Sequence, residues 1–140
     1  MSHPKPKGRI SETTLRVRYA ETDAMGIVHH SRYIPWFEVG RVNHLREIGL
    51  PYKQIEEMGY LFVITDLGAR YHMPARFDDV VTIRTWMDKV ASRGMRLEYQ
   101  IVNEAGETLV TGFTKFICTN TQGQPTRLPD NLISLMTDES

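Results

Sequence analysis

Asp23, His29 and His30 are the residues whose types and spacing invite chemistry, and they share one stretch, RVRYAETDAMGIVHHSRY, at positions 16–33. A carboxylate with two imidazoles nearby in sequence can hold a metal, take part in proton transfer, or simply shape a turn. Metal binding is disfavoured. Adjacent histidines project in diverging directions, and no cysteine or carboxylate-rich cluster completes a ligand set. An aspartate just before a glycine turn commonly bonds its own backbone, so residue type and spacing alone favour a turn-forming Asp23.

Such residues need a scaffold that delivers a turn to the start of a helix. Residues 13–19 alternate, with Leu15, Val17 and Tyr19 on one face and Thr14, Arg16 and Arg18 on the other, the period of a half-buried strand. After the turn, Ser31 is the expected helix N-cap, with Pro35 in the first turn, where a missing N–H costs little. A helix starting at Pro35 itself is the alternative. Tyr33, Ile34, Trp36, Phe37, Val39 and Val42 scatter around most of the helical circumference, which predicts a helix surrounded on nearly all sides. Gly40 in its middle predicts another backbone passing close by. Arg46, Gly49 and Pro51 mark its end.

A short helix is expected over 52–58, stopped by Gly59. From there the period is two, and strands are expected over 61–73, 80–90, 93–103 and 107–120, with Gly68 a bend or bulge and PARFDD at 74–79 a turn. Residues 132–136 close with a brief helix. One strand, a long helix and four consecutive strands predict an α+β fold, an antiparallel sheet of about five strands wrapped around one central helix. This is the hotdog arrangement. A single such sheet leaves edges and part of the helix uncovered, so self-association is expected.

The chain of 140 residues suits one domain, divided here into an N-terminal arm at 1–10, a domain at 11–136 and a tail at 137–140. Seventeen basic residues balance seventeen acidic ones, so no global field favours nucleic acid or an anionic membrane. No apolar run approaches a membrane span and MSHPKPKGRI lacks the apolar centre of a signal peptide, so membrane insertion is not expected and a cytoplasmic location is. Cys118, the sole cysteine, reads as a buried structural thiol.

Arg16, Val17, Thr22, Asp23, Gly26, Ile27, Val28, Ser31 and Tyr33 together resemble the signature of the 4-hydroxybenzoyl-CoA thioesterase family. Within it they are nearest to the branch of short acyl-CoA thioesterases associated with the Tol-Pal system. The resemblance runs through Glu38, Arg41 and residues 70–79 to about Pro129. It implies hydrolysis of a thioester between an acyl group and coenzyme A, or in some cases acyl carrier protein, using Asp23 as nucleophile or general base. Backbone amides at the start of the central helix would polarise the carbonyl, aided by the helix dipole. His30 would contribute its backbone N–H and orient Asp23, water or the carbonyl through its ring.

By the same resemblance Tyr19 would bond near the site, although an inward-facing strand aromatic would look identical. Gly26, Val28, Ser31 and Tyr33 would lie on the substrate side, and Lys89, Ser92 and Arg93 would contact coenzyme A, although cations on a hairpin are usually solvated. Met25, Trp36 and Phe37 could line an acyl pocket, but core packing is the safer assignment. No Gly-rich phosphate loop is present, so neither metal nor organic cofactor is expected, coenzyme A being part of the substrate. The implied assembly is a homo-oligomer, a dimer at least and expected to be a tetramer, with the site between protomers. Other readings are hydratase or dehydratase chemistry on an acyl thioester, and a non-catalytic acyl-CoA sensor or scaffold.

Overall fold

The computed structural model describes residues 5, 6 and 8–137. Parts of the expected arm (1–4 and 7) and of the expected tail (138–140) lie outside the described residues. β1 (Ser11–Arg16) leads through the candidate loop to α1 (Tyr33–Glu47), followed by α2 (Tyr52–Glu57), β2 (Leu61–Tyr71), β3 (Val80–Ala91), β4 (Gly94–Asn103), β5 (Thr108–Thr119) and α3 (Asp130–Thr137). Among the described residues, no helix is long and apolar enough to cross a membrane.

The five strands form one antiparallel sheet in the order β1-β3-β4-β5-β2. β3, β4 and β5 are joined by hairpins, as the short loops predict. β2 and β3 are not neighbours: β2 lies at the far edge against β5, so residues 72–79 run along the end of the sheet rather than turning a hairpin. The expected simple turn at PARFDD is thus a crossing segment. It passes beneath the start of α1, where the Tyr33 hydroxyl accepts the Ala75 N–H at 3.2 Å. The irregularity expected at Gly68 falls instead between Ile64 and Asp66; Gly68 is needed because the Phe113 ring lies where a Cβ would stand.

α1 packs against the sheet on one stripe: Tyr33, Trp36, Phe37, Gly40, His44 and Leu45 are buried, whereas Val39 is 42% exposed. The expectation of a helix surrounded on nearly all sides is therefore overturned within one chain. The sheet curls over one side only, and the apolar residues off the stripe stay wholly or partly open. Phe37 stacks on Tyr99 of β4 with ring centroids 4.5 Å apart. Gly40 sits against the side chains of Thr85 and Ile83, not against a backbone, and a Cβ there would overlap both. The C-terminal end matches expectation. Gly49 takes φ +91, its N–H reaches Arg46 O, and the Leu50 N–H reaches Leu45 O at 2.8 Å. Cys118 is fully buried in the core, and burial pushes its thiol up.

Candidate active site

The strand expected to run to Tyr19 ends at Arg16, and the chain then makes a 3-10 turn over Tyr19–Glu21. Tyr19 does not share the inward face with Leu15 and Val17. It is 77% exposed and meets the Phe77 ring edge-on at 5.6 Å. Past the turn the chain folds into a miniature hairpin. The Asp23 N–H donates to Ile27 O at 2.8 Å, the His29 N–H donates to Glu21 O at 2.9 Å, and Thr22 pairs with Val28 between them. Asp23, Gly26, Val28 and His30, distant on an extended chain, are gathered in this one unit.

Gly26 makes the reversal possible: its φ of +80 is strained for any residue with a Cβ. Asp23 closes the turn. Its Oδ1 accepts the Met25 N–H at 2.8 Å and its carbonyl accepts the Gly26 N–H at 3.0 Å. The turn-forming role and a chemical one are therefore compatible, because Oδ2 takes no hydrogen bond from the described residues. The carboxylate is aimed by one oxygen and offers the other.

The return strand of the hairpin runs directly into the helix start. A 3-10 turn over His30–Arg32 precedes α1, and its cap is His29, whose Nδ1 accepts the Ser31 N–H at 3.2 Å. Ser31 is thus not the N-cap, and neither Ser31 nor Pro35 marks the start of α1, which begins at Tyr33. The physical reason is local: a histidine two residues upstream places its ring Nδ1 at the Ser31 amide, where a capping hydroxyl was expected. With the Ser31 amide taken, the His30 N–H is left without an acceptor among the described residues. The His30 carbonyl is held from the other side by the Tyr71 hydroxyl, which donates to it at 3.1 Å.

The remaining expected site residues divide in two. Val28 and Tyr33 are buried in the core; Val28 N–H donates to Ala75 O at 2.9 Å, so the pair ties the loop to the crossing segment. Burial pushes the Tyr33 phenol up. Lys89, Ser92 and Arg93 are exposed around the β3–β4 hairpin. The Asp23 loop adjoins the opposite end of β3, since the Val17 N–H bonds Asp79 O at 2.8 Å. The strand Val80–Ala91 that separates them is up to roughly 36 Å long at about 3.3 Å per residue. One chain does not bring them to Asp23.

Two residues escaped the sequence reading. Glu21 is buried, and its Oε2 accepts the Trp36 indole N–H at 2.7 Å. Burial alone would raise this carboxyl, but the Arg18 amide, the Trp36 indole and the Arg18 guanidinium together hold it below the usual carboxylate range. The only available signal was indirect: a tryptophan on a buried helix needs a partner for its N–H. Tyr71, at the end of an edge strand, gave none. Among the described residues no group of three or more His, Cys, Asp or Glu is placed to hold a metal. Cavities of about 770 and 470 Å³ lie elsewhere, and neither is lined by Asp23 or His30. On a single chain the site is an open loop end.

Comparison with known proteins places this geometry in context. The thioesterase-like superfamily matches residues 17–135. The putative acyl-CoA thioesterase YneP of Bacillus subtilis is 34% identical over 109 residues, covering 78% of this chain and 79% of that protein. The crystal structure of the hypothetical protein TT1821 from Thermus thermophilus is 39% identical with a TM-score of 0.86, covering 91% of this chain and 97% of that one. The DHNA-CoA thioesterase from Staphylococcus aureus is 36% identical with a TM-score of 0.82, covering 85% and 80%.

Proposed function

The chain belongs to the thioesterase-like superfamily, and from that membership we propose that it is an acyl-CoA thioesterase cleaving an acyl or aroyl thioester of coenzyme A. The narrower placement, in the 4-hydroxybenzoyl-CoA thioesterase family beside the Tol-Pal-associated short acyl-CoA thioesterases, is our reading of the signature at 16–33. The observation that carries the activity is the loop itself. An aspartate with one oxygen anchored and one open shares a hairpin with an amide, His30 N–H, that has no acceptor.

In this reading the thioester oxygen accepts the His30 N–H, which together with the α1 dipole stabilises the charge that develops there. The Asp23 carboxylate then acts by one of two routes. It takes a proton from a water that attacks the carbonyl, or it attacks directly and the resulting anhydride is hydrolysed. Either route consumes one water, breaks the C–S bond and releases the acid and the thiol of coenzyme A. No metal or organic cofactor enters.

We also infer a homo-oligomer, a dimer at least, with the site between copies. The edge strand β2 leaves Val63, Leu67 and Tyr71 43%, 46% and 48% exposed, a surface suited to pairing with another chain. A second copy would supply the wall that the open loop lacks and bring a distant hairpin carrying Lys89, Ser92 and Arg93 within reach of coenzyme A. A thiol-release assay over aromatic, short, branched and long acyl-CoAs is the test. Turnover of at least one class is expected; tight binding of acyl-CoA without thiol release from any class would overturn the reading.

A further inference from the structure

Glu21 lies two residues before Asp23, and its carboxylate is divided between two places. Oε1 accepts the Arg18 N–H at 2.8 Å, while Oε2 accepts the Trp36 indole N–H at 2.7 Å and the Arg18 guanidinium at 3.5 Å. Its backbone carbonyl takes the His29 N–H at 2.9 Å. One residue thereby holds the start of the loop, the first turn of α1 and the return strand that ends at His30. Capping of the 3-10 turn accounts for the Arg18 contacts alone; the indole bond reaches 15 residues along the chain and serves nothing in that turn. Trp36 is itself fixed, 3% exposed and packed edge-on against Tyr33 at 5.0 Å.

We propose that Glu21 is a positioning residue that clamps the Asp23 hairpin to helix α1 and so sets the Asp23 carboxylate against the His30 amide. The proposal rests on the roles assigned above to Asp23 and His30. Both carboxylate oxygens are used as acceptors from different donors, so a carboxamide cannot replace them. In Glu21→Gln one oxygen becomes an NH2 facing an N–H, and one end of the clamp must let go. Displacements of about 1 Å at a reacting group can cost on the order of 100-fold in rate.

The test combines Glu21→Gln, Trp36→Phe and the double variant, with kcat and KM measured below the melting temperature of each. Glu21→Gln is expected to lower kcat about 30-fold with KM within about twofold, because binding is spared while alignment is lost. Trp36→Phe is expected to lower kcat about tenfold. The double variant, freed of the donor facing a donor, is expected to lose no more than Glu21→Gln alone. In isotope-labelled protein, Glu21→Gln is expected to move the Trp36 indole N–H resonance and to speed amide exchange at Asp23 and His29 at least tenfold, leaving Leu97 and Tyr99 in β4 unchanged.

Additive losses in the double variant, or a kcat per folded molecule within twofold of the wild type, would overturn the proposal. The resonance and exchange measurements do not depend on turnover. If they stay unchanged in Glu21→Gln, the clamp is refuted by itself; if they change while the wild-type protein releases no thiol, the roles given to Asp23 and His30 fall, and the positioning role falls with them.

Discussion

The two ends of helix α1 handle polar groups in opposite ways. At the C-terminal end they are paired within the chain, one pair buried and the other at the surface. The Ser11 hydroxyl and His44 Nδ1 lie 2.7 Å apart with both side chains almost wholly covered, and Glu47 is held by Asn43 at 2.9 Å and Arg9 at 3.3 Å. At the N-terminal end, Asp23 Oδ2 and the His30 N–H are left open, although Glu21, His29 and Tyr71 nearby are all engaged. The Ser11–His44 pair is satisfied by the chain itself, as expected where a buried group without a partner costs about 1–3 kcal/mol. At the N-terminal end, Asp23 is fixed through one oxygen and keeps the other open, as the proposed role in binding a thioester needs. That contrast distinguishes the two ends of α1.

The largest effect is expected at the open end. Asp23→Asn keeps volume and the Oδ1 bond to Met25 but removes the charge, so kcat should fall by about 10²–10⁴-fold, the usual scale for a lost acid–base group, with melting temperature nearly unchanged. Retention of most of the activity would erase the distinction between the two ends.

The next largest is expected at the closed end, as a pH dependence of stability. Burial depresses His44 from 6.5 to about 4, with Glu47 opposing weakly and Arg9 adding to the depression. Between those values the unfolded chain binds a proton that the folded chain refuses. Stability from this group is therefore complete above pH 6.5 and is lost as pH falls toward 4, on the order of 3 kcal/mol in all. Urea titrations at pH 7, 5.5 and 4.5 should show this slope in the wild type and a shallower one in His44→Gln. Equal slopes would mean that the buried pair is not closed to protons.

The smallest effect is expected at the far hairpin. Lys89→Ala with Arg93→Ala should raise KM for acyl-CoA a few-fold, the scale of exposed charges worth about 0.2–1 kcal/mol each, without changing stability. Because these residues lie at the other end of β3 from Asp23, a raised KM would require a second copy to complete the site. An unchanged KM would leave that end of the sheet without a part in binding.

Much of the fold could be read along the chain. Strand alternation, the Gly49–Pro51 stop of α1 and the hairpins of β3 to β5 are local properties, written in residues close to one another. The crossing at 72–79 was not readable, because nothing in PARFDD says that the preceding strand pairs with β5 instead of β3. The stripe on α1 was misread for a similar reason. Apolar side chains off the stripe look the same in sequence whether covered by the chain's own sheet or left open to another surface.

The candidate site divides along the same line. The sequence by itself determined the turn that Asp23 closes and Gly26 permits, and the helix that follows, because turn chemistry and helix patterning act over a few residues. Only the tertiary structure decided which amide is free. His29 rather than Ser31 caps the helix approach, Tyr71 arrives from an edge strand to hold the His30 carbonyl, and Trp36 reaches back to Glu21. The first is a contact between near neighbours; the other two join groups 41 and 15 residues apart, and their geometry exists only once sheet, crossing segment and helix have packed.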